Sequence, residues 1–109
     1  MKFNVVIIKD AEDDMFDIYK YVVYSDGVER SEYLLEKIEE TCESLSRLPR
    51  RGHVPPELKN IGIYNYLEVH FKPYRIIYQI IDNDVFIHCV LDGRRELQEL
   101  LQQRLLRGG

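Results

Sequence analysis

The chain has 109 residues, 45% of them hydrophobic, and a formal net charge of −4. That length suits one domain, residues 1–109, and that apolar content can form a core without disulfides or metals, which excludes a disordered segment. The acidic balance excludes a generic polyanion binder, whose footprint is a strongly basic domain.

Residues 2–8 read as a strand, with Val5-Val6-Ile7-Ile8 at its centre. The apolar run is too short for a signal peptide and lacks a small-residue cleavage site. No run in the chain reaches the roughly 18 apolar residues of a membrane span. The expectation is therefore a cytoplasmic protein with no membrane partner. Residues 10–25 form the first predicted helix. Asp10 is its expected N-cap and Asp13 the acid of its first turn. Met15, Ile18, Tyr19, Val22 and Val23 recur at helical spacing, and Gly27 supplies the C-terminal stop.

The second helix is predicted over 28–48, ending before Pro49. Its apolar stripe is Tyr33, Leu34, Ile38, Thr41, Cys42, Leu45 and Leu48, and its other faces are acidic. Tyr21 and Tyr24 suit an exposed contact surface. Residues 49–62 read as a loop stiffened by Pro49, Pro55 and Pro56. Three strands follow over 63–70, 74–82 and 84–91, with connections short enough for antiparallel hairpins. The last helix is predicted over 94–107, with Leu97, Leu100, Leu101 and Leu105 inward. The order β-αα-βββ-α implies an α+β fold: a helical hairpin packed on an antiparallel-rich twisted sheet. Cys42 and Cys89 are expected to be buried free thiols.

Charge divides unevenly. Residues 1–46 carry five Lys/Arg against twelve Asp/Glu, and residues 47–109 carry ten against seven. The second half can therefore build a local basic face. Its candidate target-binding residues are Arg75, Arg94, Arg95 and Arg104. Arginine presents a planar, always-charged fork that suits phosphate or carboxylate. Arg75 alternates outward on a strand and fits two roles, a cross-hairpin pair with Glu68 or a contact to a ligand. Arg94 and Arg95 open the predicted last helix, where cations oppose the helix dipole. A sequence shaped only by stability would place acids there, which favours a functional reading.

Histidine titrates near neutral pH. His70 shares a predicted strand face with Tyr66 and Glu68, near Arg75, and fits either acid–base work or a polar outer sheet face. His88 reads as a strand residue satisfied by a neighbour, and His53 as a solvent-facing loop residue. One loop histidine and two strand histidines form no recognised ligand pattern, so no metal or cofactor is expected.

The chain resembles the RelE/ParE superfamily of toxins from type II toxin–antitoxin systems. The element order matches over nearly the full length. The motifs are Pro55-Pro56-Glu57-Leu58-Lys59, Pro73-Tyr74-Arg75-Ile76-Ile77-Tyr78 and Asp92-Gly93-Arg94-Arg95-Glu96-Leu97. The resemblance implies a cognate antitoxin as partner. It also implies one of two targets: DNA gyrase for ParE-like members, or the ribosome and its mRNA for RelE-like endoribonucleases.

Cleaving RNA through a 2′-hydroxyl needs groups that move protons and cations that hold phosphate charge. RelE-like enzymes meet this with strand lysines, two arginines and a late tyrosine. Arg75 and Arg95 match the arginines, but Tyr66 and Glu68 stand at the lysine positions and Leu101 at the tyrosine position. The resemblance therefore implies the ParE-like branch, a gyrase inhibitor rather than an enzyme. The alternative is a nuclease using Arg75, Arg95, His70 and Glu68. A third reading is a non-toxic member that keeps antitoxin binding.

Overall fold

The computed structural model describes residues 2–106, in which a four-stranded sheet carries helices on both faces. The elements are β1 (Asn4–Ile7), α1 (Lys9–Asp26), α2 (Val28–Ser44), α3 (Pro56–Lys59), β2 (Leu67–Phe71), β3 (Tyr74–Ile81), β4 (Asp84–Asp92) and α4 (Gln98–Leu106). The sheet order is β1-β4-β3-β2. β2, β3 and β4 are antiparallel neighbours, and β1 joins β4 in parallel.

One face packs on α1 and α2. Its core holds Met15, Val22, Leu34, Ile38 and Cys42 from the helices and Val69, Ile76, Tyr78, Val85 and Ile87 from the strands. The other face carries a smaller cluster, with Leu58, Tyr66, Ile77, Cys89, Leu97 and Leu101. The two apolar sets interchange along β4. Ile87 pairs with Tyr78, while Cys89 pairs with Ile77, so His88 is an extra residue in the ladder. Such a bulge reverses which face the following side chains meet. The freed carbonyl of His88 accepts from Arg104, 3.1 Å away.

Several boundaries move from their predicted places. α1 starts at Lys9 with Ile8 as N-cap and no side-chain cap, so Asp10 lies inside the first turn and Asp13 beyond it. α2 stops at Ser44 rather than 48, where the Ser44 hydroxyl donates to the Thr41 carbonyl at 2.6 Å. Leu45 remains buried in the turn that follows, but Leu48 and Tyr33 face outward. Tyr33 lies under the cations of Arg30 and Lys37 instead. Tyr21 and Tyr24 are exposed as expected, and Cys42 and Cys89 are buried free thiols. Burial pushes both thiols up to about 12.

Two differences bear on function. Residues 63–66 do not join the strand, and the expected loop contains α3, which Pro56 opens at its first turn. The last helix begins at Gln98, not 94, so Arg94 and Arg95 lie in a turn and no helix dipole opposes them. Arg107 lies outside the described residues.

Candidate functional site

β2 and β3 place Glu68, His70, Arg75 and Ile77 on one face, with His70 directly opposite Arg75. The loop before α3 folds back onto the outer edge of β2. His53 and Glu68 exchange two backbone hydrogen bonds, of 3.1 and 2.7 Å. Gly52 makes this approach possible, because a Cβ there would lie 2.5 Å from the Glu68 carbonyl oxygen and 2.7 Å from the Tyr78 hydroxyl. The Tyr78 hydroxyl receives the Gly52 N–H and donates to the Pro49 carbonyl.

A five-residue polar cluster results. Arg75 donates Nε and one terminal nitrogen to Glu68, at 2.7 and 3.0 Å. It donates both terminal nitrogens to Glu57, each at 2.7 Å. Glu68 is 1% exposed. Burying that carboxylate alone would be costly, and the guanidinium fork offsets the cost. The Arg75 hydrogen bond holds the Glu57 carboxyl below its ordinary range, with burial acting the other way. Glu57 is fixed in turn because its carbonyl accepts from Gln98, which ties α3 to α4. His70 Nε2 lies 3.0 Å from one Glu68 oxygen and His53 Nε2 lies 3.3 Å from the other. The three ligand atoms of His53, Glu68 and His70 fall within 4.8 Å of one another. The sequence spacing does not show this grouping, because it arises where the loop carries His53 across to the strand.

The second candidate region is the turn after β4. Arg94 forms a two-point pair with Asp92, at 3.0 and 2.7 Å, with its side chain exposed. Arg95 is exposed and, among the described residues, makes no side-chain hydrogen bond or ion pair. It borders a depression lined by Asp14, Asp17, Tyr21, Tyr74 and Asp92. Gly93 packs the turn against the Arg75 stem, where a Cβ would lie 2.9 Å from Arg75 Cγ, from Arg75 Cδ and from the Pro73 carbonyl oxygen. The fourth candidate, Arg104, reaches back to Asp14 on α1, at 3.1 and 2.9 Å, and clamps α4 to the body.

The four arginines therefore do not make one patch of uncommitted cations. Three are held by carboxylates, and Arg95 alone of the four points at solvent without a partner among the described residues.

A family profile described as the ParE toxin of a type II toxin–antitoxin system, parDE, matches residues 5–97. The chain belongs to this ParE toxin family. It is 27% identical over 101 residues to Toxin ParE3 of Caulobacter vibrioides, covering 93% of this chain and 97% of that one. In fold it is similar to a chain of the chromosomal ParDE system from P. aeruginosa, with TM-score 0.71, 15% identity, and 84% and 96% of the two chains covered. It is also similar to a mutant of the E. coli toxin RelE in the free state, with TM-score 0.63, 18% identity and 100% of both chains covered. The β-αα-βββ-α order read from the sequence is thus that of RelE/ParE toxins.

Two further residues singled out in the sequence, Tyr66 and Leu101, are engaged in packing. Tyr66 is buried, and its hydroxyl donates to the Leu105 carbonyl at 3.2 Å. Leu101 is fully buried in the smaller core. Among the described residues, no helix is long and apolar enough to cross a membrane.

Proposed function

We infer that this chain inhibits growth by binding and poisoning DNA gyrase, and that a cognate antitoxin neutralises it. The observation that carries this reading is the commitment of the three positions where RelE-like nucleases carry lysines and a tyrosine. Leu101 is core, the Tyr66 hydroxyl is spent on a helix carbonyl, and Glu68 is buried under Arg75. A nuclease needs groups free to move protons, whereas a poison needs only a surface that stabilises one state of its target. The net charge of −4 supports a protein target over bare RNA, whose binding rests on phosphate neutralisation.

An apolar groove formed by Ile7, Met15, Phe16, Tyr19 and Leu35, flanked by Glu12 and Glu39, supports the antitoxin as partner. Phe16 is 59% exposed there. A segment with apolar and basic side chains would fold onto it. The cognate antitoxin should raise the melting temperature of wild type, and Phe16→Asp should weaken that rise.

A second reading has one observation in its favour. His70 is partly exposed, bonded to Glu68 and opposite Arg75, an arrangement able to move a proton. Purified chain tested in parallel against gyrase and translated mRNA separates the readings. Inhibited supercoiling or trapped cleaved DNA, with mRNA intact, is the expected result. Codon-positioned cuts lost in His70→Ala, with gyrase unaffected, would replace it with the endoribonuclease. Antitoxin binding with neither activity would identify a non-toxic member.

A further inference from the structure

We propose that His53, Glu68 and His70 form a binding site for a divalent transition-metal ion, best suited to zinc, which ties the 49–62 loop to the sheet. The ligand set is two imidazole nitrogens and one carboxylate, which suits zinc and its neighbours rather than magnesium or calcium.

The spacing is close to what an ion requires. Tetrahedral zinc with ordinary bond lengths holds its ligand atoms about 3.3–3.5 Å apart. Here His70 Nε2 lies 3.0 Å from Glu68 Oε1 and His53 Nε2 lies 3.3 Å from Glu68 Oε2, so an ion would sit across the two carboxylate oxygens. The two histidine nitrogens lie within 4.8 Å of each other, and a modest rotation of the His53 side chain closes that gap. His53 is able to make it because its side chain is 60% exposed, while that of His70 is 39% exposed. The same openness leaves an entry path and room for water as a further ligand.

The surroundings hold the carboxylate as an outer shell would. Each carboxylate oxygen has two lone-pair directions. Arg75 takes one on each oxygen of Glu68, and the remaining two face the histidines. Glu57 offsets the charge of Arg75, so the guanidinium orients Glu68 without cancelling its attraction for a cation. The backbone is fixed as well, through the paired His53 and Glu68 amides and the close approach at Gly52. An ion would replace the two histidine–carboxylate hydrogen bonds and leave the rest of the cluster in place.

The test uses the tag-free full chain and zinc alone. Dialysis with metal analysis should give one zinc per chain, and zinc should raise the melting temperature. His53→Ala and His70→Ala should each weaken binding by at least about ten-fold. His88→Gln, outside the cluster, should leave binding unchanged. His53 is exposed and its backbone bonds survive substitution, so His53→Ala remains folded. Cobalt should give the intense visible bands of a low-coordinate imidazole–carboxylate site in wild type and lose them in His53→Ala. No stoichiometric zinc, or equal binding by the double variant His53→Ala/His70→Ala, would overturn the proposal.

Discussion

Arg75 and Arg95 belong to neighbouring regions joined through Gly93, yet their surroundings are opposite. Arg75 is mostly buried, and its side chain donates four hydrogen bonds to two carboxylates. Arg95 faces solvent without a partner among the described residues. A buried fork that gives four of its five N–H donors to two carboxylates has little to offer a target, and its removal leaves an unpaired charge inside the protein. An exposed arginine contributes little to folding and keeps its fork for a partner. Two arginines from two family-like motifs thus divide the work, one holding the sheet to α3 and the other available at the surface.

Removal of Arg75 should have the largest effect on stability. Arg75→Ala should cost about 3–5 kcal/mol, because Glu68 is left buried without its cation. Arg75→Lys should recover only part of this, since an ammonium cannot bridge two carboxylates in the same plane. Urea titration reads both, and an Arg75→Ala protein as stable as wild type would reassign Arg75 to the surface. Gly93→Ala is the next largest. Its Cβ meets the fixed Arg75 stem and a backbone oxygen, so a loss of about 1–3 kcal/mol is expected.

Acid should loosen the sheet in two steps. Burial first, and then the charge of Arg104, hold His88 below its ordinary value. The folded chain therefore binds fewer protons than the unfolded chain as pH falls below about 6.5. Stability is full above that value and declines below it, and His88→Gln should flatten the melting temperature between about pH 7 and 5. Glu57 is also held low, by Arg75. Its contribution is complete above about pH 4.3 and is lost as pH falls through the lower folded value. A second decline below about pH 4, absent in Glu57→Gln, checks this step. The smallest effect belongs to Arg95→Ala, which should change stability by less than about 0.5 kcal/mol.

Local patterns made much of the fold legible. The β-branched and aromatic run in 74–81 and the apolar spacing of Met15, Val22, Leu34 and Ile38 located strands, helices and the main core. The bulge at His88 was not legible, because an extra residue in a ladder shows only against the partner strand. The start of α4 was misplaced because Asp92-Gly93-Arg94-Arg95 looks like a helix opening. The Glu96 carboxylate instead accepts the Gln98 N–H, 2.8 Å away, and the helix begins there. α3 carried a usable signal, since proline at a first helical position followed by glutamate is a helix start. The pairing of Arg75 with Glu68 was one of two readings left open. Its second partner, Glu57, and the arrival of His53 depend on a loop that folds back across the sheet edge, which no periodicity encodes.

The most direct test of the division between the two arginines is growth inhibition by Arg95→Ala, expressed to wild-type level and melted alongside wild type. An unchanged melting temperature and loss of inhibition are expected. Full inhibition by a variant that melts like wild type would contradict that division.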